Sequence, residues 1–309
     1  MNNYVLFTDS ACDIKPKTLT DWGVEYIELN FRFEGEDKDY ANSDMKISEF
    51  YNRMRDGGVA KTSAVNPKGF SSAFEKLLKE GKDILYIGFS SGLSTTCNSA
   101  MIAADELSEK YPDRKIICID SMRYSTALSL LVIKAAEKKA EGMDIEAVAE
   151  YIEKYKHTVH QIGPMDDLFF LVKTGRITNF KAFFGTLVGV SPMADFNEKG
   201  MSEVVAKFKG KKSAFDATLK YMEKTIENPQ DQIIFVAHSN REAAAKLLAE
   251  RIKETFAPKE VIINHVGMAC GATVGPGLCA AFYHGKKISE GLAEEKEIMN
   301  EIVEQSKEK

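Results

Sequence analysis

The sequence predicts an α/β protein of two domains, each of which combines a sheet with flanking helices. Three observations support this prediction. The chain has 309 residues, whereas one domain averages roughly 150. Short apolar runs that end in polar residues alternate with stretches of helical periodicity, which is typical of a mostly parallel sheet covered by helices. After about residue 160 the chain becomes rich in Phe, Gly and Val, so we predict an N-terminal domain at 1–160 and a C-terminal domain at 161–309.

The first domain is predicted to contain a mostly parallel sheet. Its strands are predicted at "YVLFTDSA", "VEYIELNFRF", "DILYIGF" and "KIICIDS". Apolar residues recur at helical spacing between them, which predicts helices at "DMKISEFYNRMRDGG", "KGFSSAFEKLLKEG", "STTCNSAMIAADELSEKY", 124–141 and 144–158.

The second domain is predicted to contain a mixed sheet with helices. Asn197–Gly200 reads as a hairpin turn between "VSPMADF" and "MSEVVAKF". Further strands are predicted at "QIIFVAHS", "EVIINHVG" and "LCAAFYHG", and helices near 213–227, 241–255 and 289–307, the last of them charged and terminal.

Composition excludes several classes of function. The net charge of −5 does not attract a polyphosphate backbone, so nucleic acid is not an expected partner. We find no signal peptide and no apolar run long enough to span a membrane, which favours a cytoplasmic protein. The five cysteines include no C-x-x-C pair, which fits reduced thiols better than a disulfide framework or a zinc site. No metal or cofactor is expected.

The loop "GFSSGLSTT" at 88–96 contains a G-x-S-x-G pattern and allows three interpretations. Ser90 could be the nucleophile of a serine hydrolase, with His238 as the best candidate base. The loop could simply cap the following helix. It could also capture a phosphate or carboxylate, because hydroxyls and free backbone N–H groups meet at a helix N-terminus. These hydroxyls are Ser90, Ser91, Ser94, Thr95 and Thr96.

Two other stretches carry polar groups of similar chemistry. "DSACD", at Asp9–Asp13, could hold a metal, although aspartates beside a serine more often order a loop. "KTSAVNP" precedes a helix that Pro67 can open, and Thr62 and Ser63 there can donate hydrogen bonds.

Taken together and in order, these stretches resemble the DegV family of bacterial fatty-acid-binding proteins. The resemblance covers nearly the whole chain. It rests on "VLFTDSACDI", "KTSAVNPKGF", "SSGLSTTCNSA", "IDSMRYS", "KTGRIT", "VSPMADFNEKG" and "GATVGPGLCAAFY". The resemblance implies a two-domain α/β protein that is not itself an enzyme and buries one long-chain fatty acid, such as palmitate, stearate or oleate.

The resemblance also implies roles for particular residues. The carboxylate of the fatty acid is expected at the hydroxyls of Thr62 and Ser94, with Thr95 as a neighbour. The protein is further expected to present the fatty acid to a separate ATP-dependent kinase subunit. The Phe-rich stretch 169–190 and "AMIAA" are candidates for the wall of an acyl tunnel.

The sequence departs from the family pattern at two functional positions. Thr273 stands where family members often have a histidine, so it can donate a hydrogen bond but cannot supply a cation. Lys209 replaces an arginine of the kinase partnership and keeps only its charge. A family fold that serves as a lipid-independent interaction protein is therefore a further alternative.

Overall fold

A computed structural model describes residues 3–166, 168–178 and 190–307, apart from the side chains of Lys211 and Lys307. The strands in it are β1 (Tyr4–Asp9), β2 (Val24–Ile27), β3 (Asn30–Phe33), β4 (Tyr40–Ala41), β5 (Ala60–Ser63), β6 (Asp83–Gly88), β7 (Ile116–Asp120), β8 (Val159–Ile162), β9 (Ile177–Thr178), β10 (Val190–Phe196), β11 (Ser202–Lys209), β12 (Ile233–His238), β13 (Glu260–His265) and β14 (Cys279–His284). The helices are α1 (Pro16–Asp21), α2 (Ile47–Arg55), α3 (Pro67–Lys79), α4 (Thr96–Lys110), α5 (Ser125–Ala140), α6 (Ile145–Tyr155), α7 (Phe169–Thr174), α8 (Lys211–Thr225), α9 (Glu242–Phe256), α10 (Met268–Val274) and α11 (Ala293–Lys307).

Two four-stranded sheets form the frame of the protein. The first has the order β2-β1-β6-β7, and all its neighbouring strands are parallel. The second has the order β13-β12-β14-β8, in which only β12 and β13 pair in parallel. The predicted α/β class, with a parallel sheet followed by a mixed one, is confirmed.

Helix α5 contacts strands of both four-stranded sheets. The largest hydrophobic cluster accordingly joins residues of the two sheets and of α5, such as Leu6, Leu85, Leu128, Phe235 and Phe282. The predicted domain boundary at 160 falls inside β8, which pairs with β14 in the second sheet. The first sheet is covered on its other side by α3 and α4, which contribute Phe70, Phe74 and Ala100 to a separate cluster.

Two three-stranded sheets complete the fold and carry predicted site residues. One has the order β4-β3-β5 and contacts α10, so β5 lies beside that helix. The other has the order β10-β11-β9, and β10 and β11 form the predicted hairpin around Asn197–Gly200. Thr62 of β5, Ser202 of β11 and Thr273 of α10 consequently line one cavity.

The stretch "VEYIELNFRF" differs from its prediction as a single strand. It forms β2 and β3, which belong to different sheets. The break lies at Leu29, which is buried and whose backbone N–H donates to the Ser10 hydroxyl at 2.9 Å. That bond gives the Leu29 N–H a partner outside either sheet.

Candidate functional site

One cavity of about 250 Å³ lies between elements from both halves of the chain. Its wall combines hydroxyl groups, apolar side chains and one arginine. The described residues that line it are Thr62, Ala64, Phe89, Leu93, Ser94, Thr95, Tyr124, Leu171, Arg176, Ser202, Ala269, Cys270, Thr273 and Val274. Four residues predicted from sequence, Thr62, Ser94, Thr95 and Thr273, are among them, and we name them the outer hydroxyl cluster.

Ser94 and Thr95 lie at the N-terminus of α4. The Ser94 hydroxyl accepts the Thr96 backbone N–H at 3.2 Å and is 2.9 Å from the Thr96 hydroxyl. Thr95 is the N-cap residue, yet its side chain makes no capping hydrogen bond. The first N–H groups of a helix have no partners within it and carry a partial positive charge. This end of α4 can therefore accept an anion as its cap.

Thr62 reaches the cavity from β5, where it pairs with Phe31 of β3. Its neighbour Ser63 is exposed and is not one of the described lining residues. The following helix begins as predicted, because Pro67 occupies its first turn and Asn66 accepts the Gly69 N–H at 2.9 Å. The short strand thus presents Thr62 to the cavity, while the turn after it serves α3.

Thr273 lies in α10, a helix of small residues that follows β13. The helix packs closely against α2: a Cβ at Gly271 would come within 2.4 Å of the Tyr51 hydroxyl oxygen. That hydroxyl donates to the Val266 carbonyl oxygen at 2.6 Å. This close approach brings the half-buried Thr273 side chain to the same cavity as Thr62.

Arg176 is a cationic residue of the cavity wall that sequence reasoning did not single out. It belongs to the stretch "KTGRIT" and precedes β9. Its Nε donates to the Leu93 carbonyl oxygen at 3.3 Å, which holds the guanidinium beside the Ser94 loop. The site therefore has a positive charge even though Thr273 cannot supply one.

Tyr124 and Ser202 form a second, deeper group of hydroxyls, which we name the inner hydroxyl pair. They are only 5% and 2% exposed. The Tyr124 hydroxyl donates to Gln161 Oε1 at 2.8 Å, and Gln161 Nε2 donates to the Ser202 hydroxyl at 2.8 Å. Sequence reasoning missed all three residues, because only the fold brings α5, β8 and β11 together.

Ser90 is completely buried and has a structural hydrogen bond. Its hydroxyl donates to the Gly200 carbonyl oxygen at 2.7 Å and accepts the Gly92 N–H at 3.3 Å. Gly200 has a φ of +69°, and a Cβ there would lie 2.3 Å from the Ser90 hydroxyl oxygen. Ser90 therefore joins the loop before α4 to the β10–β11 hairpin.

His238 is not arranged as a base for Ser90. Its Nδ1 accepts the Arg241 backbone N–H at 3.1 Å, and its ring lies 4.3 Å from that of His265. Burial, with the nearby His265, lowers the pKa of His238 to about 4, so the ring is neutral near pH 7. A neutral ring that accepts at Nδ1 carries its proton on Nε2 and has no free basic nitrogen.

The two aspartates of "DSACD" order loops. Asp9 accepts hydrogen bonds from the Tyr86 hydroxyl at 2.6 Å and the Phe89 N–H at 2.9 Å, and burial raises its pKa. Asp13 has a φ of +55° and accepts the Ser125 hydroxyl at 2.5 Å. Over the described ranges, no three His, Cys, Asp or Glu residues form a group able to hold a metal ion.

Lys209 lies apart from the cavity. It ends β11, the strand that begins at Ser202, so the two are about 23 Å apart at roughly 3.3 Å per residue. Of the predicted tunnel residues, 179–189 lie outside the described part of the chain. Ala100 and Ala103 of "AMIAA" pack in the cluster between α3, α4 and the first sheet.

A second cavity, of about 320 Å³, adjoins the first. The two cavities share Thr62, Arg176 and Thr273. The second also contains Lys61 and Lys173, whose ammonium groups lie 3.1 and 4.0 Å from Glu34 Oε1. The contact with Lys61 lowers the pKa of Glu34. Three cationic side chains, two of them paired with Glu34, thus line the cavity that adjoins the outer hydroxyl cluster.

Comparison with known proteins identifies the family. A family model described as "Uncharacterised protein, DegV family" matches residues 3–286. The chain belongs to the DegV family. A DegV domain-containing protein of Clostridium perfringens is 36% identical over 286 residues, which cover 92% of this chain and 98% of that protein. A second, of Streptococcus pyogenes, is 28% identical over 284 residues and the same shares of the two chains.

Solved structures of DegV proteins share the fold. A fatty-acid-binding DegV family protein from Thermus thermophilus superimposes with a TM-score of 0.83 and 25% identity, covering 92% of this chain and all of that one. A DegV lipid-binding protein from Thermotoga maritima gives a TM-score of 0.77 and 25% identity over 92% of this chain and 99% of that one. The Streptococcus pneumoniae fatty acid kinase B3 protein, loaded with linoleic acid, has the same fold, with a TM-score of 0.79 and 24% identity over 92% and 100%. Within the described residues, no helix is long and apolar enough to cross a bilayer.

Proposed function

We propose that this protein binds one long-chain fatty acid in the 250 Å³ cavity. The observation that carries the proposal is the meeting of Thr62, Ser94, Thr95 and Thr273 at a cavity whose other described walls are largely apolar. Fatty-acid-binding structures of the same family support it. The protein is proposed to be a carrier and not an enzyme.

The carboxylate of the fatty acid binds at the outer hydroxyl cluster. Thr62 and Thr95 are exposed, and Ser94 and Thr273 half-buried, so the cluster marks the side of the cavity that meets solvent. The N-terminus of α4 supplies backbone N–H groups and a partial positive charge. Arg176 adds a full charge beside them. Hydroxyl donors and this charge together suit a carboxylate.

The acyl chain lies against the apolar side chains of the cavity, which include Phe89, Leu93, Leu171 and Val274. A chain of about 14 methylenes contributes roughly 11 kcal/mol of gross transfer free energy at about 0.8 kcal/mol each. Losses of translational and conformational freedom offset much of this gain. The chain therefore dominates the affinity, and the hydroxyls determine the orientation.

Lipid analysis of the purified protein tests this function. The full chain, expressed in a bacterial host without added lipid, is denatured and extracted for mass spectrometry. We expect about one equivalent of fatty acid per chain. Absence of extracted fatty acid, together with no calorimetric binding of added palmitate or oleate, would overturn the proposal. A lipid-independent interaction protein would likewise yield no extracted fatty acid and no binding of palmitate or oleate.

The fluorophosphonate reaction separates the carrier from a serine hydrolase. The Ser90 hydroxyl donates its hydrogen bond to the Gly200 carbonyl oxygen and not to a base. We therefore expect no labelling of Ser90 by a fluorophosphonate in the native protein. Stoichiometric labelling that disappears in Ser90→Ala would favour the hydrolase instead.

A further part of the proposal is that the bound carboxylate is presented to a separate ATP-dependent kinase subunit. The second cavity favours it, because Lys61, Lys173 and Arg176 flank the same threonines and can stabilise a phosphorylated product. Formation of acyl phosphate from [γ-³²P]ATP by a kinase subunit and the loaded protein is the test. We expect Lys61→Gln to slow the reaction and Lys209→Glu to weaken the association of the two proteins. Failure to form acyl phosphate with several kinase subunits would limit the function to binding.

A further inference from the structure

The inner hydroxyl pair has two hydroxyl protons to donate, but its bonds to the Gln161 amide use only one of them. Gln161 offers one carbonyl oxygen and one amide nitrogen to the two hydroxyls. The amide oxygen accepts a hydrogen bond from the Tyr124 hydroxyl. The amide nitrogen donates to the Ser202 oxygen, so the Ser202 hydroxyl proton is not used in either bond. If the amide were rotated, the Tyr124 proton would be left instead. In either orientation of the amide, one hydroxyl proton has no acceptor on Gln161.

Direct pairing of the two hydroxyls does not remove this excess. Their oxygens are 3.4 Å apart, whereas hydroxyl hydrogen bonds ordinarily measure about 2.5–3.0 Å. Burial also raises the pKa of Tyr124, so its hydroxyl stays protonated. Among the described residues, the remaining proton therefore has no acceptor at an ordinary hydrogen-bond distance.

The main chain that carries the Gln161 amide is held in place. The Gln161 backbone N–H donates to Asp195 Oδ1 at 2.9 Å, and β8 pairs with β14 on its other side. The Asp195 carboxylate also accepts the Tyr221 hydroxyl at 2.8 Å and lies 2.7 Å from His160 Nδ1. Gln161 is thus a positioning residue, because its held main chain sets its amide between the two hydroxyls.

The free proton adjoins the cavity. Both Tyr124 and Ser202 line it, and so do the apolar residues Phe89, Ala269 and Val274. Apolar side chains offer no oxygen acceptor, and a plain hydrocarbon chain offers none either. A buried donor without an acceptor is unfavourable, so an oxygen atom on the ligand would bind there preferentially.

We propose that the cavity selects fatty acids that carry a hydroxyl or keto oxygen along the chain, which accepts a hydrogen bond from the inner hydroxyl pair. This inference rests on the proposed function and names its ligand class. The carboxylate occupies the outer hydroxyl cluster, and the chain oxygen meets Tyr124 or Ser202. Two separated polar contacts then fix both the orientation and the position of the chain.

Calorimetric titration with a set of chain-matched ligands tests the proposal. Delipidated full-length protein is titrated with stearate and with hydroxystearates that carry the hydroxyl at different carbons. We expect at least one isomer to bind about tenfold more tightly than stearate, the effect of one net hydrogen bond. Ser202→Ala and Tyr124→Phe should each reduce that ratio to about twofold or less.

The ratio of affinities separates selection from a general structural effect. A structural network alone would lower stearate and hydroxystearate binding together and leave the ratio unchanged. The proposal is overturned if no isomer exceeds stearate, or if the preference survives in both variants. Binding of stearate without preference would overturn only this inference, whereas no binding of any fatty acid would overturn the proposed function as well.

Discussion

The outer hydroxyl cluster and the inner hydroxyl pair use the same functional group in opposite surroundings. Outer residues are exposed or half-buried, and the Ser94 hydroxyl interacts with a residue two positions along the chain. The inner hydroxyls are buried and interact through Gln161, which is 37 residues from Tyr124 and 41 from Ser202. Local sequence therefore specifies the first group, and the packing of distant elements specifies the second.

This difference predicts different consequences of substitution. Water can replace a lost partner at an exposed hydroxyl, so changes in the outer cluster should affect ligand affinity with little effect on folding. The inner region lies in the core, where an unpaired polar group destabilises the protein itself. The predictions below test this separation.

The largest effect is expected at Gly200, where the outer loop meets the hairpin that carries Ser202. Gly200→Ala places a Cβ 2.3 Å from the Ser90 hydroxyl oxygen and 2.8 Å from Met122 Cα, at a φ of +69°. We expect a loss of about 3 kcal/mol in the free energy of unfolding, measured by urea denaturation.

Gly23→Ala is the matched control for Gly200. Its φ is +64°, and a Cβ there meets no described atom within 4 Å. Only the backbone penalty of about 1–2 kcal/mol applies. Equal losses in the two variants would show that the contact with Ser90 is unimportant.

The next largest effect is a pH dependence of stability that comes from Asp13. Its carboxylate accepts a hydrogen bond from the hydroxyl of Ser125, the residue after Tyr124. Burial, opposed by the Ser125 hydrogen bond, raises the pKa of Asp13 from 3.8 to about 7. Between these values the folded state holds more protons than the unfolded state, so the free energy of unfolding falls as pH rises. The slope from this residue is up to about 1.4 kcal/mol per pH unit.

Asp13→Asn should remove that slope, because the amide does not titrate. Urea denaturation of both proteins at pH 4.5, 5.5 and 6.5 measures the difference. Parallel pH profiles would indicate that Asp13 ionises in the folded protein as readily as in the unfolded chain.

A smaller effect is expected at Ser94, within the outer cluster. Ser94→Ala should weaken palmitate binding about tenfold, or roughly 1.4 kcal/mol, and lower the free energy of unfolding by about 1 kcal/mol for the lost bond to the Thr96 N–H. Ser108→Ala is the control on the same helix, since the Ser108 hydroxyl donates to the Ala104 carbonyl oxygen and does not line the cavity. Calorimetry should distinguish the two; equal affinities would remove Ser94 from the binding site.

The smallest effect is expected at Thr95, the most water-accessible hydroxyl at the α4 terminus. It makes no capping hydrogen bond and is exposed, so water competes with the ligand for it. Thr95→Ala should change the dissociation constant for palmitate about twofold or less. A tenfold loss in the same titration would place the carboxylate closer to Thr95 than to Ser94.

The sequence predicted the parts of the fold that depend on local patterns. The alternation of strands and helices, the hairpin at Asn197–Gly200 and the start of α3 at Pro67 each have a signature within a few residues. The two strands of "VEYIELNFRF" could not be separated in this way. At their break the Leu29 N–H bonds the hydroxyl of Ser10, which lies 19 residues away in sequence.

The residues of the candidate site also fall into those that local sequence predicts and those that only the fold brings together. Thr62, Ser94, Thr95 and Thr273 lie in recognisable motifs, and the fold sets them around one cavity. Tyr124 lies in "IDSMRYS" and Ser202 in "MSEVVAKF", but neither stretch indicates their pairing, which arises only where β8, the start of α5 and β11 meet. Lys209 and the stretch 179–189 stay predictions.

The bond between Ser90 and Gly200 has a consequence for the order of folding. The two residues are 110 positions apart, and the cavity wall extends from Thr62 to Val274. A ribosome releases the N-terminal part first and adds about 5–20 residues per second. The emerging chain therefore spends several seconds with its first sheet available and the candidate site unfinished. The cavity wall is therefore complete only when translation is nearly finished.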